Sequence, residues 1–199
     1  MKNLKFLVVL ALVALFATPA IAADTIKIGF NIPLTGDIPE VGEGSKNAAE
    51  MYLADINGAG GLDVGGKKYM LEFVYMDNEA KAESAVSAAL KLIEQEEVVA
   101  IIGPNSSKQA VPGGGTANEN RTPMISPWST NPNTTLDRPY VFRAAFLDPF
   151  QGPVVANFAA KKFGAKTAAV LYDVNNDYSV GPLHGFRLLG HSRPGEALW

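Results

Sequence analysis

The sequence predicts an α/β protein: a three-layer α/β/α lobe built on a parallel β-sheet, followed by a second lobe that is incomplete. Two observations support this fold class. Short apolar runs, each the length of a buried strand, alternate with longer segments in which apolar residues recur at helical spacing. Clusters of Gly, Pro, Asn and Ser separate the two kinds of segment. A regular β-α repeat implies parallel strands joined by right-handed crossovers.

The composition indicates a globular protein with a substantial core. Of 199 residues, 47% are hydrophobic and 19% are charged, proportions that exclude an intrinsically disordered chain. The formal net charge is −3, and without a strongly basic domain nothing supports a nucleic-acid partner. Because the sequence has no cysteine, it cannot form disulfides, carry a lipid on a cysteine or use thiol chemistry.

Residues 1–22 are typical of a secretory signal peptide. Lys2 and Lys5 supply the positive start, residues 6–16 are an unbroken apolar run, and residues 20–22 read Ala-Ile-Ala, a cleavage motif. The apolar run is shorter than the ~20 residues that a membrane-spanning helix needs. We therefore expect cleavage of this segment and a protein that is soluble outside the cytoplasmic membrane.

The first half of the lobe contains two β-α units. Residues 25–32 predict the first strand, and residues 42–57 predict the first helix. A glycine-rich segment ends this helix, because Gly tolerates the left-handed cap conformation. Residues 67–76 predict the second strand. Residues 80–94 predict the second helix, with its apolar side chains on one face.

Two small polar turns follow the next two predicted strands. Residues 98–102 form an apolar, β-branched run that suits a strand buried on both faces, and Asn-Ser-Ser follows at 105–107. Residues 124–126 form another short strand, which leads into Pro-Trp-Ser-Thr at 127–130. Ligands of open α/β sheets bind at the carboxyl ends of the strands. The sequence therefore predicts a small-molecule site on these two turns.

The helix between those strands has an unusual interior. Pro112 is followed by three glycines at 113–115. Each glycine costs a helix about 1 kcal/mol relative to alanine, so we expect this helix to fray or kink.

The pattern restarts after a break at residues 141–148, which predicts a domain boundary. Residues 140–143 are a short extended piece, and residues 149–163 predict a helix whose Val154, Val155, Phe158 and Ala159 face inward. Residues 167–172 predict another buried strand. We assign residues 23–143 to the first lobe, residues 144–187 to part of a second lobe, and residues 188–199 to an aberrant or truncated tail without pattern.

Several of these segments carry a family resemblance. They read IKIGFNIPLTGD, AAEMYLADINGAGG, VVAIIGPNSS, PMISPWSTNP, RAAFLDPFQG and AAVLYDVNNDYSVG, in that order. In them the chain resembles the type I periplasmic substrate-binding proteins of ABC importers, specifically the leucine/isoleucine/valine-binding group. Members of this group have two α/β lobes with a ligand cleft between them. The resemblance implies a complete first lobe and a truncated second lobe here.

The resemblance also implies the site residues. Ser106 and Ser107 fall where members offer hydroxyl and N–H groups to the ligand carboxylate. Trp128, Ser129 and Thr130 fall on the turn that holds the α-amino group through a backbone carbonyl and the threonine hydroxyl. Two further positions complete the expected set: Tyr178, on the aromatic that closes over the ligand, and Val41, on a wall that is often aromatic.

The residues alone leave structural interpretations open. Ser106 and Ser107 would cap a helix in any α/β protein, and Ser129 and Thr130 would form an ordinary polar turn. Trp128 fits core packing as well as stacking on a ligand.

Enzyme motifs are lacking. The sequence contains no HExxH, no GxSxG and no phosphate-binding GxxxxGK[ST], and its two histidines lie beyond residue 180, where the β-α pattern ends. We therefore expect a periplasmic, monomeric binding protein without enzymatic activity or a cofactor. It would hand an amino acid, or a related small carboxylate or amide, to an ABC permease. The alternatives are a non-functional truncated fragment of such a protein, an exported α/β enzyme, and a ligand-sensing regulator, which would need no signal peptide.

Overall fold

The computed structural model describes residues 24–180; the predicted signal peptide, the tail and both histidines lie outside that range. Six strands, four α-helices and one 3-10 turn alternate along it. They are β1 (Thr25–Ile32), α1 (Pro39–Gly58), β2 (Leu62–Val64), β3 (Lys67–Asp77), α2 (Ala82–Glu94), β4 (Ala100–Ile102), α3 (Ser107–Glu119), β5 (Met124–Ser126), the 3-10 turn (Pro132–Thr134), β6 (Val141–Arg143) and α4 (Asp148–Phe163).

The six strands form one sheet in the order β2-β3-β1-β4-β5-β6. Every neighbouring pair is parallel except β2 with β3. Ile28 of β1 lies opposite Phe73 of β3 on one side and Ala100 of β4 on the other. The parallel α/β prediction is confirmed, whereas the hairpin that β2 makes with β3 was not predicted.

Each face of the sheet has its own apolar core. On one face α2 and α3 pack over a buried cluster, whose largest members are Leu92, Ile101 and Met124. On the other face α1 packs over Phe30 and Ile32. Alternate residues of a strand point to opposite faces, so neighbouring apolar residues of these strands serve two cores. The continuous apolar runs in the sequence follow from this arrangement.

The glycines of α3 bring it close to its neighbours instead of breaking it. The helix runs without interruption from Ser107 to Glu119, so the predicted fraying is wrong. A Cβ on Gly114 would lie 3.1 Å from Met124 Cε and from Arg138 Nη1, and a Cβ on Gly113 would lie 3.3 Å from Pro104 Cγ. The propensity lost by these glycines is therefore offset by close packing.

The predicted second-lobe strand at 167–172 does not form in the described part of the chain. Only an isolated bridge at residue 168 is present, and Leu171 is fully exposed. The prediction fails because a strand is held by its neighbours, and no other strand within residues 24–180 pairs with this segment beyond that bridge. Val154, Val155 and Phe158 of α4 are exposed rather than inward-facing, because the strand that would have covered this face of the helix does not form.

The second face of the sheet is only partly covered by α1. An apolar groove of about 910 Å³ lies beside that helix, and Val41, Tyr52, Ile125, Trp128 and Phe142 are among its lining residues. Phe142 and Ile125 are 52% and 46% exposed there. This side of the sheet therefore presents large apolar side chains to solvent. No helix within residues 24–180 is long and apolar enough to cross a membrane.

Candidate functional site

The two polar turns meet at the carboxyl edge of the sheet. They follow β4 and β5, which are adjacent parallel strands with Ile102 opposite Ile125. Between them lies a cleft of about 880 Å³. Of the seven residues proposed for the site, five line this cleft: Ser106, Ser107, Trp128, Thr130 and Tyr178. Ser129 is buried behind it, and Val41 lies in the neighbouring apolar groove.

The first turn places the N-terminus of α3 at the cleft. Ser106 occupies the N-cap position, but its side chain makes no capping hydrogen bond. Its carbonyl accepts from the N–H groups of Gln109 and Ala110. The first N–H groups of a helix have no intrahelical acceptor and attract anions. The half-buried Ser106 hydroxyl therefore stands beside a favourable position for a carboxylate.

A buried chain of hydroxyl groups ties the two turns together. The Ser129 Oγ donates to Ser107 Oγ at 3.0 Å and also lies 2.6 Å from Thr134 Oγ1. All three side chains are at most 1% exposed. Ser107 and Ser129 therefore fix the distance between the turns, and the Ser129 side chain faces protein instead of the cleft.

Thr130 is joined to the start of α4 by two hydrogen bonds. Its hydroxyl donates to Asp148 Oδ1 at 2.6 Å, and its carbonyl accepts from the Asp148 N–H at 3.0 Å. Burial raises the pKa of the Asp148 carboxyl above its usual range, although the Thr130 hydroxyl and the Arg143 guanidinium oppose that rise. The Thr130 side chain is thus held in one orientation at the cleft wall.

Arg143 holds the loop that follows the second turn. Its guanidinium donates to the carbonyls of Ser129 at 3.2 Å, Asn131 at 2.8 Å and Pro132 at 3.1 Å, and also to the Thr135 hydroxyl. Burial lowers the pKa of Arg143, while the nearby carboxylate of Asp148 opposes that shift. This side chain organises the loop and brings a positive charge to the cleft lining.

Asn105 links the first turn to α1. It is 1% exposed and donates through Nδ2 to Ser45 Oγ at 3.0 Å. Ser45 in turn donates to the Val41 carbonyl at 2.8 Å. The Asn105 Oδ1 is buried without a hydrogen-bond partner. Val41 therefore supports the first turn through its backbone, one step behind the cleft.

Two aromatic residues provide exposed surface at the cleft. Trp128 is 57% exposed and Tyr178 is 44% exposed. Tyr178 lies after α4, and its hydroxyl accepts a long hydrogen bond of 3.4 Å from Gln151 Nε2. Trp128 also borders the apolar groove. Both rings are free to pack against a small ligand.

The described residues show no metal centre. Within 24–180, no three His, Asp or Glu side chains are grouped so that they could hold a metal ion. The chemistry available in the cleft is hydrogen bonding, charge and apolar contact.

The family is decided by comparison with known proteins. A family model described as periplasmic binding protein matches residues 25–187. The chain belongs to this family. The type I resemblance seen in the sequence is therefore confirmed, and relatives of this kind are binding proteins of transport systems.

Amino acid-binding proteins are among the similar chains. A leucine-, isoleucine-, valine-, threonine- and alanine-binding protein of Pseudomonas aeruginosa is 35% identical over 163 residues, covering 81% of this chain and 42% of that protein. A branched-chain amino acid transporter substrate-binding protein of Streptococcus pneumoniae, solved with isoleucine, is 33% identical with a TM-score of 0.76, covering 83% of this chain and 46% of that one.

A further solved relative carries a different ligand. A solute-binding protein of an ABC transporter from Rhodopseudomonas palustris, in complex with 3,4-dihydroxybenzoic acid, is 27% identical with a TM-score of 0.71. The match covers 83% of this chain and 43% of that protein. The chain thus spans less than half the length of each of these binding proteins.

Three structurally important residues were missed by sequence reasoning. Asn105, Arg143 and Asp148 are each partly or fully buried and hydrogen-bonded around the cleft. Arg143 and Asp148 lie within the RAAFLDPFQG segment, whose two charged residues close to a strand end were the available signal. Their partners lie 8 to 18 residues away along the chain, so the sequence alone did not reveal the contacts.

Proposed function

We propose that this chain supplies the first half of the ligand clamp of a solute-binding protein of the branched-chain amino acid type, and that it holds an amino acid or a related small carboxylate or amide. The observation that carries the proposal is the single cleft shared by the α3 N-terminus and Thr130. These groups offer different chemistry to the two ends of one small molecule.

The carboxylate end of the ligand would bind at the first turn. Ser106 and the first N–H groups of α3 supply donors there, and a helix N-terminus favours a negative charge by about 0.3–1 kcal/mol, or more when partly buried. Ser107, whose hydroxyl is engaged with Ser129, would contribute its backbone N–H.

The other end of the ligand would bind at the second turn. Thr130, which is 5% exposed, lines the cleft together with Trp128. The threonine oxygen and the backbone carbonyls of this turn are acceptors that suit an α-amino group. Trp128 and Tyr178 would pack against the apolar part of the ligand.

The names of similar proteins support a carboxylate ligand. The Streptococcus pneumoniae relative was solved with isoleucine and the Rhodopseudomonas palustris relative with 3,4-dihydroxybenzoic acid. Both ligands carry a carboxylate next to a mainly apolar body. The first turn, at the N-terminus of α3, provides for that shared group.

Tight binding would require a second lobe that closes over the ligand. Closure by a hinge at about residues 141–148 would bury the ligand from both sides. This chain covers 46% or less of the relatives described above. We therefore expect residues 24–180 by themselves to bind only in the millimolar range, because they would contact the ligand mainly from one side.

The wider role follows the family. We propose export directed by residues 1–22, action in the periplasm as a monomer, and delivery of the ligand to a membrane permease. Catalysis forms no part of this role, since the relatives are binding proteins. A fragment with no function is the competing proposal, and it predicts a folded first lobe that binds no small molecule.

A thermal-shift panel of amino acids, amides and aromatic acids tests the proposal. A ligand present at about ten times its Kd stabilises the folded state by about 1.4 kcal/mol, so millimolar binding is measurable at high ligand concentration. We expect branched-chain amino acids to raise Tm, and Thr130→Val to reduce that rise. If no member of the panel raises Tm, the binding function is wrong and the fragment interpretation is favoured.

A further inference from the structure

The direction of one hydrogen bond limits what Thr130 offers to a ligand. A threonine hydroxyl has one proton to donate and lone pairs that accept. The Thr130 proton is directed at Asp148 Oδ1, at an oxygen–oxygen distance of 2.6 Å. While that bond is present, only the lone pairs of Thr130 remain for the cleft.

The surroundings of Asp148 favour a lasting hydrogen bond from the Thr130 hydroxyl. Its side chain is completely buried, and its backbone N–H donates to the Thr130 carbonyl at 3.0 Å, so the two residues are joined twice. The other carboxylate oxygen, Oδ2, is buried without a hydrogen-bond partner. Because the buried Asp148 carboxylate has few partners and is not exposed to water, losing the hydrogen bond from Thr130 would leave it without a replacement donor. Burial raises the pKa of this carboxyl, while the Thr130 hydroxyl and the nearby Arg143 guanidinium act in the opposite direction and favour its charged form.

We propose that Asp148 is a positioning residue that fixes Thr130 as a hydrogen-bond acceptor, so that this end of the cleft selects ligands with a protonated amine over carboxylic acids that lack a donor there. The inference rests on the proposed function, which it makes more specific. Among the ligand classes of the solved relatives, it assigns this chain to the amino acids. A ligand with no donor would leave the lone pairs of Thr130 desolvated and unpaired.

A purely structural role for Asp148 makes a different prediction. The residue also lies in the first turn of α4, where a carboxylate interacts favourably with the helix N-terminus. Loss of that interaction would weaken the cleft for every ligand by the same factor. The ratio of two affinities therefore separates the two roles, since only a positioning role changes the ratio.

The experiment is an NMR titration of the purified chain with L-leucine and with 4-methylpentanoate, the same acid without the amine. We expect the wild type to bind leucine more tightly. Asp148→Ala should lower this preference by about tenfold, the size of one hydrogen bond to a charged group. In a Thr130→Val background the same change should leave the ratio unaltered. Glu83→Ala, which removes a first-turn acid of α2, is the matched control and should change neither affinity.

A second variant covers the case in which Asp148→Ala does not fold. Asp148→Asn keeps the shape of the side chain, but its neutral amide oxygen accepts a weaker hydrogen bond from the Thr130 hydroxyl than the carboxylate does. The leucine preference should then fall by about threefold. An unchanged ratio in the folded variants, or a wild type that prefers the acid without the amine, overturns the role of Asp148 and leaves carboxylate binding intact. Binding of neither ligand would instead overturn the proposed function itself.

Discussion

The hydroxyl chain that joins the two cleft turns can be tested by a double-mutant cycle. Ser129 bridges Ser107 and Thr134, and all three side chains are buried. Replacing Ser129 with alanine removes both hydrogen bonds and leaves two buried hydroxyls without that partner. Replacing Ser107 with alanine removes only one of the bonds.

The expected magnitudes follow from those bond counts. Each intramolecular hydrogen bond contributes about 1 kcal/mol net, and a buried group that loses its partner costs about 1–3 kcal/mol. Ser129→Ala should therefore lower the free energy of unfolding by about 2–3 kcal/mol, and Ser107→Ala by about 1 kcal/mol. The double variant should lose about 1 kcal/mol less than the two single losses together, because it removes both partners of one bond.

Urea denaturation of the four proteins measures these free energies. Ser87→Ala is the matched control, because this exposed serine only donates to the carbonyl of Glu83 within α2. It should change stability by less than about 0.5 kcal/mol. Additivity of Ser107→Ala and Ser129→Ala within about 0.3 kcal/mol would show that the two hydroxyls do not interact. The account of how the turns are held together would then be wrong.

Three further predictions concern the rest of the lobe. Gly42→Ala should lower the free energy of unfolding by about 1–3 kcal/mol or more, because its Cβ would lie 2.0 Å from the Pro33 carbonyl oxygen. Gly44→Ala, whose Cβ would have nothing within 4 Å, should instead stabilise α1 by up to about 1 kcal/mol. Equal thermal shifts of the two variants would contradict this. Burial opposes ionisation of Asp77, but its hydrogen bonds prevail and lower its pKa, so stability should fall as pH drops below about 4. Asp77→Asn should reduce this loss of stability at acid pH, measured by urea denaturation at a series of pH values. An unchanged pH dependence would show that Asp77 is not its source. Phe142→Ser should reduce the fluorescence of a hydrophobic dye, because Phe142 is 52% exposed on the open sheet face; undiminished fluorescence would place the dye elsewhere.

The sheet was predictable because its signals are local. The second strand was expected at 67–76 and is found at Lys67–Asp77, and the second helix was expected at 80–94 and is found at Ala82–Glu94. Both follow from periodicity and flanking turn residues. Where side chains of a strand serve two cores, the apolar run is continuous and easily recognised.

Other parts of the fold depend on contacts that the sequence does not display. The α3 glycines were expected to weaken the helix, but Gly113 and Gly114 allow it to approach Pro104, Met124 and Arg138. The strand expected at 167–172 has the right composition, yet strand formation requires pairing that residues 24–180 do not provide beyond one bridge.

The candidate site shows the same division. The two turns were predicted because each follows a strand, and adjacent parallel strands bring their ends to one edge. The pairing of Ser107 with Ser129, and of Thr130 with Asp148, joins residues 22 and 18 positions apart. Nothing in the local pattern distinguishes a hydroxyl that faces a ligand from one that faces another hydroxyl.

We propose that one small molecule spans the two turns. The most direct measurement is a titration of the isotope-labelled chain with L-leucine, followed through its backbone amide NMR signals. We predict millimolar binding, with the largest shifts at Ser106, Ser107 and Thr130. Shifts confined to the apolar groove around Tyr52, or affinity in the nanomolar range without a complete second lobe, would contradict it.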